Sequence, residues 1–453
     1  MFLNRSKFYF FVFGLFFFSS VFYTGTACAQ RKKGHEKDSL DQNTPDYFKE
    51  NYLRAEDYVY KPNIKTVLFY RDGFELTAPI MNLNEDIKLI LKFDDLDAEY
   101  KRMKYTFIHC DANWKQSDLM PNEYLTGFYE DDITDYKFSN NTIQKYIHYT
   151  LSIPGERMQP TLSGNYLLKV YMEDSPDDAV LTRRFMIADQ KVNIKAVIKQ
   201  PQDVEYRNYK QEVDFTIDKT GYPVNNPYQD LKVIVQQNGR WDNALYDLKP
   251  LFINGDVLDF TNQEANVFSG GNIFRWFDIK AMTFYSEFIR KIDRDSAGFE
   301  VWLKDEERKT FKVFASQKDI KGKKFIKSDD HVTDSDIESE YVHVHFFLRY
   351  PAPLTSGNIY IMGALTDWNF IKEAKMTYNY DKKGYEANLY LKQGYYNYQY
   401  VYLENSSKPG DETLVEGMHW ETDNEYTIYV YNREQGSLYD VLVGVKQFNS
   451  FSK

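Results

Sequence analysis

His343 and His345 stand two positions apart in a strand-like run, so both imidazoles project from one strand face, a spacing that could serve a metal. No third ligand can be defined beside them, and the pair reads as solvent-facing or partly packed, with no metal expected. Asp293-Arg294-Asp295-Ser296-Ala297-Gly298 begins like a calcium loop, but Ala297 takes the fifth position and Lys304 the twelfth. Without the bidentate acid at the last position such a loop binds calcium poorly. Asp94, Asp95, Asp97 and Glu99 read as a solvated acidic turn. The sequence holds no G-x-S-x-G elbow, no H-E-x-x-H helix and no G-x-x-x-x-G-K-[ST] loop. Paired catalytic carboxylates leave no local trace when the fold brings distant residues together. The expectation is a protein without catalytic residues, metal or cofactor, which works by binding.

Residue types suited to binding are plentiful, with 38 Tyr and 34 Phe. Tyr396, Tyr398, Tyr400 and Tyr402 share one face of a strand by the period of two. That row either grips a sugar or a protein, or forms a half-buried cross-strand aromatic row with wet hydroxyls. A second group follows Gly270-Gly271, where a turn could present Phe274, Arg275 and Trp276, with Phe268 just before it, as anchors for a partner. The bland alternative is a bulged strand whose aromatics fill a core. Nucleic acid is a poor partner, because the chain carries a net charge of −11 and its basic residues are interleaved with acids. The lysine cluster at residues 321–327 is the main exception and reads as a solvated hairpin tip.

The elements that position these residues are strands. The 453-residue chain allows about three domains at roughly 100–200 residues each. Aromatic residues reach 17%, the Thr/Val/Ile/Tyr-rich runs are short, and long amphipathic stretches are not evident, so the fold class is all-β, tandem immunoglobulin-like sandwiches. Strands are expected at 66–70, 87–93, 105–110, 146–153, 166–171 and 184–187 in a first sandwich over 57–189. A second sandwich over 190–327 has strands at 192–198, 212–217 and 231–236 and closes with 310–315. An acidic, polar linker at 328–339 precedes a third sandwich over 340–453, with strands at 342–348, 359–362, 386–391, 395–403 and 426–431 and a last strand near the C-terminus closing it.

The N-terminus carries Arg5 and Lys7, an apolar run at 8–18, and small residues ending Ala27-Cys28-Ala29, the pattern of a secretory signal peptide over 1–29. The Ala-x-Ala match favours cleavage after Ala29 over lipidation of Cys28, since Gly25 stands where a lipobox wants Leu. Cleavage removes the two cations Arg5 and Lys7 and takes the net charge from −11 to −13. Residues 30–56 read as a flexible leader, and no later run is long enough to span a membrane. Cys110 alone remains and cannot make an internal disulfide.

Residues 357–369 (G-N-I-Y-I-M-G-A-L-T-D-W-N) and 382–400 resemble early-set immunoglobulin-like domains related to glycogen-binding modules, with Trp368 on the family's tryptophan. That resemblance implies an early-set-like last domain, and together with the tyrosine row it gives the alternative function, a periplasmic glycan-binding protein using Trp368, Tyr396 and Tyr398. A second resemblance covers nearly the whole mature chain. Residues 105–119 (Y-T-F-I-H-C-D-A-N-W-K-Q-S-D-L), 123–128, 162–171, 236–244, 267–279 (V-F-S-G-G-N-I-F-R-W-F-D-I) and 391–401 are similar, in order, to the Plug family of the type IX secretion system. It implies a non-enzymatic periplasmic component that caps the inner mouth of a very large SprA-type outer-membrane β-barrel translocon. A barrel wide enough for folded cargo leaks when idle, and a folded cap closes it without chemistry.

Overall fold

The computed structural model describes residues 52–262, 264–330, 332–405 and 410–451. The expected signal peptide and most of the leader therefore lie outside the described residues. Residues 54–56 of that leader are tied to the first sandwich. Arg54 is buried over the ring of Tyr58, Arg184 Nε donates to the Ala55 carbonyl (2.7 Å), and Thr182 Oγ1 donates to that of Glu56 (2.7 Å).

The chain is all-β, built as sandwiches. In the first, Tyr58–Val59, Ser175–Ala188, Gly164–Met172, Met103–Cys110 and Asp131–Asp132 form one sheet, and Ile64–Arg71, Leu89–Asp95, Ile147–Ile153 and Asp135–Phe138 form the other. Met103–Cys110 shows why: Met103, Tyr105, Phe107 and His109 are buried while Lys104, Thr106 and Ile108 between them are half-exposed, one face per parity. Leu89, Leu91, Phe93, Tyr149, Leu168 and Phe185 fill the layer between the sheets.

The middle sandwich pairs distant parts of the chain. Asn193–Lys199, Lys210–Asp218, Val257–Asp259 and Phe252–Asn254 make one sheet. The facing sheet orders Arg240–Leu248, Leu231–Gln237, Glu425–Asn432 and Val441–Asn449. The last strand therefore does not close the third sandwich, contrary to expectation. Tyr426, Ile428 and Val430 pack with Val213, Phe215 and Val233, so burial of this apolar face fixes the long return.

In exchange, strands from the expected second domain serve the third core. Arg275–Asp278 and Lys324–Ile326 flank Gly394–Glu404, and Phe299–Leu303 pairs in parallel with Tyr341–Arg349. The division at 327/328 thus cuts through one packed core, where Phe277 and Val301 join Val344, Ile361 and Tyr398. Residues 328–339 do not act as a loose linker. They carry the short helix Ser335–Glu338, whose Ile337 carbonyl accepts from Asn140 N (2.8 Å) on the first sandwich. The strand expected at 310–315 is irregular, and no sheet edge among the described residues takes it up.

Candidate functional site

The segment expected to carry partner anchors lies in the seam between the middle and third cores. Strand Val267–Ser269 puts Phe268 into the middle core, edge-on to Tyr426 at 5.3 Å. The chain then bends through Gly270, where an added Cβ would sit 2.2 Å from the His419 carbonyl oxygen, and through Gly271, whose φ of +61° is left-handed. Phe274 meets the Trp368 ring edge-on at 5.9 Å. Arg240 lies over the other part of this stack, 5.0 Å from the Trp368 ring centre, and is fixed by Glu412 (2.6 Å) and Asp242 (2.7 Å).

Arg275 is the centre of a buried ion cluster. Its Nε donates to both Glu416 oxygens (2.9 and 3.1 Å), one Nη donates to Glu306 (3.0 Å), and the other donates to the Glu307 carbonyl (2.8 Å). Burial alone would lower its pKa, but Glu306 and Glu416 outweigh it and hold the guanidinium firmly charged. Trp276 is half-buried, stacked on Tyr395 at 5.5 Å and edge-on to Phe288 at 4.6 Å. Phe268, Phe274 and Arg275 are therefore spent on internal packing, and none is a free surface anchor in this fold, which corrects the sequence expectation.

The tyrosine row is likewise internal. Tyr396, Tyr398 and Tyr400 are buried, and only Tyr402 reaches partly into solvent. Tyr398 and Tyr400 both donate to the same oxygen of Glu306, at 2.7 and 2.6 Å, and Tyr396 donates to the Lys392 carbonyl at 2.5 Å. Burial and the Glu306 charge push the Tyr398 and Tyr400 pKa values well up, so both stay protonated donors. With Trp368 committed to Phe274 and Arg240, no pair of open aromatic platforms exists among these residues. The sugar-binding assignment of Trp368, Tyr396 and Tyr398 loses its geometric basis.

The acids read as a solvated turn include two fully buried carboxylates, Asp94 and Asp95. Asp94 is fully enclosed at the end of strand Leu89–Asp95. One of its oxygens lies 2.6 Å from His148 Nδ1, and the other accepts from Lys392 Nζ (2.6 Å) and the Tyr341 hydroxyl (2.7 Å). Lys392 also donates to the Asp336 carbonyl (2.6 Å), and Lys92 pairs with the Asp336 carboxylate (2.6 Å). Burial works to raise the Asp94 pKa, but Lys392 and His148 overcome it and hold it below the ordinary value. This network ties the first sandwich to the third. Its only sequence signal is an acid directly following the apolar run Leu89-Ile90-Leu91-Lys92-Phe93.

The remaining candidates resolve as structural. His345 pairs with Glu300 and stacks on Trp302 at 4.7 Å, and His343 packs on Tyr390 at 4.6 Å. Asp295 caps its own hairpin turn by accepting from Ala297 N (2.7 Å) and Gly298 N (3.1 Å). Among the described residues no group of three His, Cys, Asp or Glu could hold a metal. Cys110 is buried, which pushes its thiol up to about 12 and leaves it unreactive.

Exposed aromatics lie elsewhere on the molecule. At one edge of the first sandwich Tyr100, Phe128, Tyr129, Tyr136 and Phe138 are exposed, and Tyr136 bridges Tyr100 (4.6 Å) and Phe138 (6.0 Å). Arg157 lies 4.5 Å over the Phe128 ring. A cleft of about 990 Å³ runs between Tyr58, Tyr60 and Lys61 on the first sandwich and Asp367, Asn369 and Ile371 opposite.

Comparison with known proteins fits this architecture. The family described as type 9 secretion system plug protein 1st domain matches residues 64–189, the span of the first sandwich. A crystal structure of a hypothetical protein from Parabacteroides merdae is 33% identical and superposes with a TM-score of 0.85, covering 88% of this chain and 100% of that one. A marsupial T cell receptor (9% identity, TM-score 0.15, 85% of this chain and 99% of that one) carries no structural argument. Nor does dimeric latent PorU from Porphyromonas gingivalis (10% identity, TM-score 0.15, 86% of this chain and 34% of that one). No curated protein matches the chain.

Proposed function

This chain belongs to the type 9 secretion system plug protein family, and on that premise we propose that it is a non-enzymatic periplasmic component that binds and closes the inner mouth of a SprA-type outer-membrane translocon barrel. The observation that carries the reading is the cross-bracing of the three cores. Asp94–Lys392, Arg183–Asp367 (2.7 Å) and Arg240–Glu412 (2.6 Å) each join residues distant in sequence through a largely buried ion pair. A body braced in this way resists shear between its sandwiches, as a cap held against a wide pore must. The exposed aromatic edge around Tyr136 and Phe128 has the composition of an interface centre, rich in Tyr, Phe and Arg. A stable contact needs more than about 1,000 Å² in total, and release on demand calls for moderate affinity.

The experiment is to tag the C-terminus in the native host, solubilise outer membranes gently, and identify copurifying proteins by mass spectrometry. One giant β-barrel in a discrete complex is expected. Recovery of the protein alone sinks the reading.

A further inference from the structure

We propose that the surface segment 310–318 carries a docking strand over 313–318, to which an extended acidic segment of a partner protein adds by backbone pairing. Its first six residues are Thr310-Phe311-Lys312-Val313-Phe314-Ala315, rich in the β-branched and aromatic types that favour strands. It nevertheless runs irregularly over the surface, with Phe311 83% and Val313 92% exposed. Its two ends are fastened. Lys309 N donates to the Val415 carbonyl (2.8 Å) and Thr310 Oγ1 to that of Leu414 (2.9 Å), while Asp319 accepts from Phe274 N (3.0 Å). Between these points, among the described residues, the backbone of 313–318 pairs with no other backbone group. The turn at 310–312 is closed by Lys312 N on the Lys309 carbonyl (2.8 Å), and the stretch that follows it, fastened at both ends with free N–H and C=O groups, is a template that strand addition can use.

Charge selects the partner. Residues 308–318 contain Arg308, Lys309, Lys312 and Lys318 and no acid, within a chain of net charge −11. The neighbouring lysines are neutralised internally: Lys321 by Asp423 (2.9 Å), Lys323 by Glu425 (3.0 Å) and Lys327 by Asp329 (3.3 Å). Lys312 has only the exposed Glu307 at 3.8 Å, and Lys318 has no carboxylate within ion-pair distance among the described residues. Arg308 lies 5.4 Å from the Phe311 ring and adds to the basic, aromatic face. A lipid surface would attract the same charges, but hydrocarbon cannot satisfy the open backbone, whereas a second strand can. Acidic side chains flanking the added strand meet Lys312 and Lys318. The inference does not depend on which partner the capping reading names.

The test places the photo-crosslinking residue benzoylphenylalanine at position 311 of the full-length protein in the native host, with position 204 as the control, since Val204 is also 83% exposed. Crosslinks from 311 are expected on one peptide of net negative charge. Lys312→Glu combined with Lys318→Glu should lower the yield at least tenfold. Val313→Pro and Ser316→Pro, made separately, sample both strand parities, and at least one should abolish the crosslink. Neither removes a backbone hydrogen bond of the fold, so the unfolding midpoint should hold. Crosslinks no more frequent than from 204, crosslinks to lipid, or a yield that survives charge reversal or both prolines overturn the proposal. If barrel copurification persists in such a case, the capping reading stands while this one fails.

Discussion

Asp94 and Lys392 are 298 positions apart, yet their charged atoms meet at 2.6 Å with both side chains almost completely enclosed. Such a pair costs desolvation on both sides, so its worth lies in what happens when one member is lost. Asp94→Ala leaves the Lys392 ammonium buried and should destabilise by about 3–5 kcal/mol. Asp94→Ala with Lys392→Met should recover much of that, and chemical denaturation of the two variants reads the difference. The Asp94 pKa is held low in the fold. The wild-type contribution is therefore present above the ordinary aspartate pKa of about 3.9 and lost as pH falls through the lowered folded value.

Tyr398 and Tyr400 share one acceptor oxygen of Glu306, and the other oxygen of that carboxylate pairs with Arg275. A hydrogen bond to a charged group is worth about 1.5–3 kcal/mol. Tyr398→Phe alone should cost less than that range because Tyr400 still serves the oxygen, whereas Tyr398→Phe with Tyr400→Phe should cost more than the sum of the singles. A double-mutant cycle of unfolding free energies measures the coupling, and strict additivity would contradict the shared-acceptor geometry.

Local pattern made much of this fold legible. The alternation in Met103–Cys110 and the one-sided Tyr396, Tyr398 and Tyr400 specify strands because side chains alternate by geometry. Partnership between strands has no such local signature. Nothing in Glu425–Asn432 announces that it pairs with Leu231–Gln237, because a strand with one apolar face fits any matching edge. Burial of polar groups was hidden for the same reason. Asp94 looks like turn chemistry until Lys392, His148 and Tyr341 arrive from far along the chain. Residues 310–315 show the converse, a strand-like composition that no sheet edge among the described residues takes up. The anchors Phe274 and Arg275 were the right residue types for an interface, but a seam between two cores of one chain is an interface too.

Gly270 should tolerate no side chain. An alanine Cβ there would meet the His419 carbonyl oxygen at 2.2 Å and its carbon at 2.8 Å, both backbone atoms that cannot swing away. Overpacking of this kind typically costs about 1–3 kcal/mol. Gly270→Ala should lower the thermal midpoint, while Gly255→Ala, which has nothing within 4 Å but sits at a φ of +59°, isolates the backbone term alone.

Glu212 and Asp214 lie two residues apart on one face of strand Lys210–Asp218, and both are buried. Lys199 from the neighbouring strand reaches Asp214 at 2.6 Å, while Glu212 forms no ion pair among the described residues. Burial first, and then the Asp214 charge, push the Glu212 carboxyl up to about 7 from its ordinary 4.5. A carboxyl whose folded pKa is raised binds its proton more tightly in the native state. Its contribution is full below about 4.5 and is lost as pH rises through about 7. Wild type should therefore lose stability between pH 5 and pH 8 relative to Glu212→Gln, which keeps the shape and carries no ionisable proton. Urea midpoints of both proteins at those two pH values decide it, and parallel profiles would show that Glu212 does not titrate in this window.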